Sequence, residues 1–259
     1  MADYERIRVE RDGSVITLTL ANPQRRNTLA HPALIEITAA LEAAAESDAL
    51  AVVIAADGPV FSAGHDFGDL LGSDEATAHE LFEICTNMMM LIQRIPQVVV
   101  AKVHALATAA GCQLVASCDL AVAAESASFQ APGGRGGLFC HTPMVAIARA
   151  VGRKKALEMA LTGDAISAHT ACDWGLVNRV VADAELDTAT ADLVMRATRG
   201  SSTSKALGKQ AYYAQVDMSQ PDAYEYAGDV MARGVVSPDG QEGIASFVEK
   251  RKPNWPSRA

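Results

Sequence analysis

The chain has 259 residues, 49% hydrophobic and 20% charged, and 22 Lys and Arg against 31 Asp and Glu leave a net charge of −9. That balance and length exclude a disordered segment, and they exclude a small scaffold that needs disulfides or a structural metal to fold. The acidity argues against nucleic acid or an anionic membrane as partner unless basic residues cluster locally.

In chain order, segments 7–9 and 15–20 flank the turn pair Asp12-Gly13, a hairpin signature. After Asn22-Pro23 comes a polar, basic loop, Gln24-Arg25-Arg26-Asn27. Leu34, Ile37 and Leu41 share one helical face, and the apolar run 49–56 reads as a buried strand. A glycine-bearing loop then spans 57–72. The helix starting near Ala76 must end before Pro96, because proline disfavours helical geometry in the residue preceding it. Val98-Val99-Val100-Ala101 reads as a strand covered on both faces. Segment 107–114 is rich in small residues and passes into helix, and 120–123 reads as strand again. From Pro143 onward the pattern is helical, through 156–161, 184–199, 205–216, 223–233 and 240–250. Strand–loop–helix units over the first ~130 residues imply an α/β core rich in parallel strands. We expect one α/β core over residues 1–200 with a helical C-terminal region over 201–259.

Five cysteines at irregular spacing, with no C-x-x-C, read as buried thiols of a reducing compartment rather than disulfides or a zinc site. The start, Met1-Ala2-Asp3-Tyr4-Glu5-Arg6, lacks an apolar leader, and no run approaches the ~18 apolar residues of a membrane span. The expectation is a cytoplasmic protein with no membrane insertion.

Several motifs fail. No Walker phosphate loop occurs, and Gly133-Gly134-Arg135-Gly136-Gly137 does not fit a dinucleotide fingerprint, so it reads as a tight loop. Ser62 lacks the preceding glycine of a nucleophile elbow. His79, Glu80 and Glu83 lack the second histidine of a zinc motif and read as a solvated helix face, while Met88-Met89-Met90 reads as helix core. No metal is expected.

Two segments carry chemistry. Val60-Phe61-Ser62-Ala63-Gly64-His65-Asp66 is a small-residue loop after a buried strand. Ala107 to Leu114 is a turn entering a helix whose N-terminus offers free N–H groups. A pair of such donors is what a developing oxyanion needs. With Asn22 to Leu29, Gly111-Cys112-Gln113-Leu114, Cys118-Asp119, Leu161 to Ala168, Trp174-Gly175-Leu176-Val177 and Phe247 to Lys252, the chain resembles the crotonase, or enoyl-CoA hydratase/isomerase, superfamily. The resemblance is collinear from about Val9 to Lys252.

It implies a crotonase-like spiral of β-β-α units with a helical C-terminal trimerisation region, assembled as a homotrimer or a dimer of trimers. It also implies an acyl-CoA thioester substrate with no separate cofactor, its carbonyl held by the backbone N–H groups of His65 and Ala110. Ala110 stands where the family usually has glycine. Family hydratases use two glutamates for acid–base work; those positions fall on Gln113 and Gly133 here. Glutamine can hold a water but cannot take its proton, and glycine can do neither. Ordinary hydration is therefore in question. Reactions through a thioester enolate remain open: isomerase, lyase or hydrolase chemistry, with Gln113 placing water and His141 as base. Cys140 is a weaker reactive candidate. Asp66 reads as a loop anchor at the edge of the CoA site, and His104 as structural. For CoA itself the resemblance points to Arg25, Arg26, Ala63, Phe247 and Lys250, while Gly68 stands where several members carry lysine. The rival reading is a non-catalytic acyl-CoA binder or regulatory oligomer.

Overall fold

Leu20, Leu18 and Ile16 stand opposite Ile7, Val9 and Arg11 in an antiparallel hairpin, β1 (Ile7–Asp12) with β2 (Val15–Leu20), turned by Gly13 at φ +54°. The protein is described from a computed structural model covering residues 4–258; Met1–Asp3 of the acidic start and Ala259 of the polar tail lie outside the described residues. The hairpin feeds α1 (His31–Ala45), which buries Leu34, Ile37 and Leu41 as their spacing requires.

Three strand–strand–helix units follow. The first is β3 (Ala51–Ala56) and β4 (Val60–Ser62), then the short α2 (Phe67–Leu70) and the long α3 (Glu75–Arg94). Next come β5 (Val98–Val103), β6 (Leu106–Thr108) and α4 (Ala110–Ser117). The third is β7 (Leu120–Ala124), β8 (Ser128–Gln130) and α5 (His141–Val151). In each unit the first strand joins one sheet and the second strand joins another, so the chain winds between two layers. The large sheet runs β1-β2-β3-β5-β7, closed by a later edge strand, and every pair after the hairpin is parallel. β4, β6 and β8 pair in parallel in the small sheet. The apolar strands 51–56 and 98–103 are buried on both faces, as parallel strands covered by helices are.

The second half adds α6 (Arg153–Thr162), β9 (Ile166–Ser167), α7 (Ala168–Trp174), β10 (Arg179–Val181) and α8 (Leu186–Thr198). β9 closes the small sheet antiparallel to β8, and β10 is the last strand of the large one. Neither was expected from a sequence read as helical here; both are two or three residues long, too short for a period to register. In the same sheet β4 was hidden in the glycine-bearing loop 57–72, and β6 and β8 are three residues each.

Last come α9 (Ser202–Gln215), α10 (Gln220–Val236) and α11 (Pro238–Val248). α9 and α10 bury no residue within the chain, and Tyr224, Met231, Val236, Phe247 and Val248 are each at least 70% exposed. No helix among the described residues is long and apolar enough to cross a membrane. Of the methionine run, Met88 and Met89 are core but Met90 is exposed.

α9 is fixed to the core by one buried polar cluster. The Lys209 ammonium lies 2.7 Å from Asp119 Oδ2 and donates to the carbonyls of Ile92 (2.8 Å) and Gln97 (2.7 Å). Asp119 also accepts the Val99 amide and the Tyr213 hydroxyl. Burial pushes the Asp119 carboxyl up and the Lys209 ammonium down, against the ion pair and hydrogen bonds that favour both charges.

Two carboxylates tie down the end of the chain. Asp239 accepts from Ser201, Thr203 and Ser257, and Glu242 takes both arms of Arg251 and the Asn254 amide. Burial raises the Asp239 pKa, but those hydrogen bonds outweigh it and hold it at about 2. Arg251 first, then the Asn254 amide, hold Glu242 at about 2 as well. Both pKa values are depressed in the folded state. Their stabilising contribution is therefore present above the ordinary carboxylate range and is lost as pH falls from ~4.5 towards 2. Amide hydrogen exchange across 251–258 should accelerate in that window before β3 and β5 lose protection; simultaneous loss would contradict the clamp.

Candidate active site

The site is assembled from two backbone segments held edge to edge. Asn27, 2% exposed and left-handed at φ +50°, donates through Nδ2 to the carbonyls of Asp57 (2.7 Å) and Val60 (3.0 Å) and accepts the Asn22 amide. It thereby pins the turn that leads into β4. The chain 26–29 then runs along 62–65: the Ala63 amide donates to Arg26 O, the Leu29 amide to Gly64 O, and Ser62 Oγ to Asn27 O. Ser62 is fully buried and committed to this structure, so it is no nucleophile.

On the other edge stands the N-terminus of α4. Gly64 is at φ +82°, and a Cβ there would sit 3.0 Å from Ala109 Cβ and 3.1 Å from Ala110 N. A Cβ on Gly111 would lie 2.5 Å from the Ser62 carbonyl oxygen. Glycine at both positions is what lets the two backbones touch. The N–H groups of His65 and Ala110 have no acceptor among the described residues. Ala110 opens the helix, where an amide has no intrahelical partner. Two unpaired backbone donors on abutting segments are the kind of groups that stabilise a developing oxyanion.

Ala109, the residue that turns the chain into α4, is at φ +50°, ψ −119°, a conformation suited to glycine. Sequence reading missed it, because an alanine carries no signal of positive φ. Such strain costs ~1–3 kcal/mol, of which glycine would relieve more than its added backbone entropy of ~0.5–1 kcal/mol. Ala109→Gly should raise the denaturant midpoint by ~1 kcal/mol equivalent; a lowered midpoint would show that the turn is not strained.

Gln113 lies one turn into α4, 4% exposed, with Oε1 buried and unpartnered. It also lines a cleft of about 760 Å³ together with Thr86, Met89, Thr142 and Val145. Gly133 opens the tight 3-10 turn Gly133–Gly136. Its amide donates to Cys140 Sγ (3.3 Å), and a Cβ on it would stand 2.0 Å from the Leu138 carbonyl oxygen. The loop is built around a missing side chain. Burial pushes the Cys140 thiol up, so it is poorly suited to reactive thiolate chemistry. His141 is exposed at the first turn of α5, its ring 5.0 Å from that of Phe139.

Among the CoA candidates, Arg25 pairs with Asp66 at 2.9 Å. Asp66 also accepts the Gly68 amide and the Thr28 hydroxyl, and Gly68 first, then Arg25, hold its carboxyl below the usual range. Its carboxylate is thereby tied to the backbone and side chains of its own loop and of the 25–28 segment. Arg26 is exposed, with its carbonyl used to hold Ala63. Phe247 and Lys250 are exposed at the end of α11, which packs on α9, α10 and the 256–258 turn. The structure thus brings His65, Ala110 and Gln113 into one neighbourhood and couples Arg25 to it through Asp66. His104 Nε2 donates to the Gly58 carbonyl (2.7 Å), a contact within the protein.

The strand–strand–helix winding is that of a crotonase-type protein, and the chain belongs to the enoyl-CoA hydratase/isomerase family, which it matches over residues 10–258. It is 44% identical over 248 residues to the mitochondrial enoyl-CoA hydratase domain-containing protein 3 of Rattus norvegicus, covering 95% of this chain and 82% of the relative. Among solved structures, the enoyl-CoA hydratase of Mycobacterium smegmatis superposes with a TM-score of 0.94 at 43% identity, covering 97% of this chain and 99% of that one. Human enoyl-CoA hydratase domain-containing protein 3 gives 0.92 at 42%, covering 97% and 100%. The crotonase fold implied by the motifs is thereby established. The cytoplasmic expectation is not sustained, since the rat, mouse, frog and human relatives are named mitochondrial. Free thiols separate a reducing interior from the secretory route, not the cytosol from an organelle.

Proposed function

We propose that the protein binds acyl-CoA thioesters and polarises their carbonyl between the His65 and Ala110 N–H groups, working through enolate-like states. The observation that carries this reading is the pair of unpaired backbone donors brought together by Gly64 and Gly111. Because both donors are main-chain groups, the alanine at 110 leaves the hole intact. Isomerase, lyase or hydrolase chemistry fits better than ordinary hydration, since Gln113 can hold water without taking its proton. His141 is the base candidate carried over from the family resemblance. Arg25 and Arg26 would meet the CoA phosphates, Ala63 the loop edge of the nucleotide, and Phe247 and Lys250 its adenine and phosphate, with no other cofactor and no metal.

Residues 201–259 are proposed as the oligomerisation region of a homotrimer or dimer of trimers; the exposed apolar residues of α10 and α11 support this. The loop closed over Gly133 also favours a second reading, a non-catalytic acyl-CoA binder or regulatory oligomer. Calorimetric titration with free CoA and a panel of acyl- and enoyl-CoA thioesters tests the common ground. Thioesters should bind more tightly than free CoA, and failure of every thioester to bind would overturn both readings.

A further inference from the structure

Among the described residues, four side-chain atoms are buried without a hydrogen-bond partner: His65 Nε2, Gln97 Oε1, Thr108 Oγ1 and Gln113 Oε1. Three of the four belong to residues at, or within three positions of, the two oxyanion donors. Folded proteins pair nearly all buried polar atoms, so this concentration marks a place shaped for a polar reactant rather than for packing. Of the three, only an imidazole exchanges a proton near neutral pH.

The His65 ring is oriented by its surroundings. Nδ1 lies 3.1 Å from the Leu29 carbonyl, which can only accept, so Nδ1 carries the hydrogen and Nε2 keeps its lone pair. Phe82 of α3 holds the ring edge-on at 5.3 Å. Burial lowers the imidazole pKa, opposed by the Leu29 hydrogen bond and the charge of Asp69, which leaves it a neutral acceptor at pH 7. The neighbouring Asp66 carboxylate is already engaged by Arg25, Thr28 and Gly68. Positions 113 and 133 themselves carry no carboxylate for proton transfer.

We propose that the His65 imidazole, through Nε2, is the proton acceptor at the α-carbon of a thioester whose carbonyl is held by the N–H of the same residue. This rests on the oxyanion-hole reading above. Nε2 takes the α-proton, the C–H electron pair becomes the bond between the α-carbon and the carbonyl carbon, and the carbonyl π pair moves onto oxygen. The His65 and Ala110 amides receive that charge. Return of the proton from Nε2 to the α-carbon restores the thioester, so the step needs no further reactant. His141, exposed beside Phe139, is the competing base.

Exchange of the α-hydrogens of butyryl-CoA in D2O, followed by NMR, reads this step whatever the overall reaction, and calorimetry of the same thioester reads binding. The wild-type protein should exchange; in His65→Gln and His65→Asn, exchange should fall at least ~10²-fold while binding stays within about threefold, because the backbone donor remains. Either variant that binds normally and exchanges at the wild-type rate overturns the assignment, as does loss confined to His141→Ala. Wild-type binding without exchange removes this inference alone. Absence of binding removes the acyl-CoA reading and this one with it.

Discussion

Crotonyl-CoA hydration by this protein should run at least ~10³-fold below that of a family member carrying both glutamates, since each acid–base group typically supplies 10²–10⁴-fold. The two positions are lost in different ways, and variants should separate them. Gln113 sits one helical turn from Ala110 with its oxygen unpaired, so a carboxylate there fills the same space and displaces no existing hydrogen bond. Gln113→Glu should recover about one group's worth, ~10²-fold. Gly133 is another matter: a Cβ would stand 2.0 Å from the Leu138 carbonyl and 2.8 Å from Cys140 Sγ, and the Leu138 amide closes the turn back onto Gly133 O. Gly133→Glu must break that turn, so it should add nothing to the rate, alone or combined with Gln113→Glu, and should lower stability. Hydration at ordinary family rates in the wild type, or full recovery in the double variant, would contradict the reading of both positions.

The largest stability effect is expected at Lys209. Its side chain is 9% exposed and its partner Asp119 13% exposed, and the pair holds Ile92, Gln97, Val99 and Tyr213 from four parts of the chain. Lys209→Met leaves a buried carboxylate facing only the Val99 amide and Tyr213. Breaking a buried pair from one side costs ~3–5 kcal/mol, whereas replacing both partners by apolar groups of similar volume is often close to neutral. Urea unfolding should therefore show Lys209→Met losing ~3–5 kcal/mol and Lys209→Met with Asp119→Leu recovering most of it. A loss below ~1 kcal/mol in the single variant would mean that the pair behaves as a solvated surface bridge.

How much of this was legible in the sequence varies with the physical signal. Helices α1 and α3 and strands β3 and β5 announced themselves by period, apolar run or proline stop, and their bounds agree closely with the expectation. The small sheet did not, because β4, β6 and β8 are three residues each and their pairing is set by neighbours in space. Within the site, the close approach at Gly64 was signalled by small-residue content, while His65 and Ala110 were singled out by the family resemblance. Ala109 was not, since its positive φ is imposed by the packing of α4 on β4 rather than by its own chemistry. Lys209 and Tyr213 looked like ordinary residues of an amphipathic helix; only the fold brings them to Asp119. Even the missing carboxylate at 133 gained a reason only in three dimensions, from the contact between that position and Leu138.

The most direct measurement of the central claim, a backbone oxyanion hole acting on an acyl-CoA thioester, is isotope-edited infrared spectroscopy of butyryl-CoA carrying ¹³C at the carbonyl. Two amide donors converging on one oxygen weaken the C=O bond, so the carbonyl band of the bound thioester should shift to lower frequency than in water. A bound thioester whose carbonyl band stays at its solution position would contradict the account.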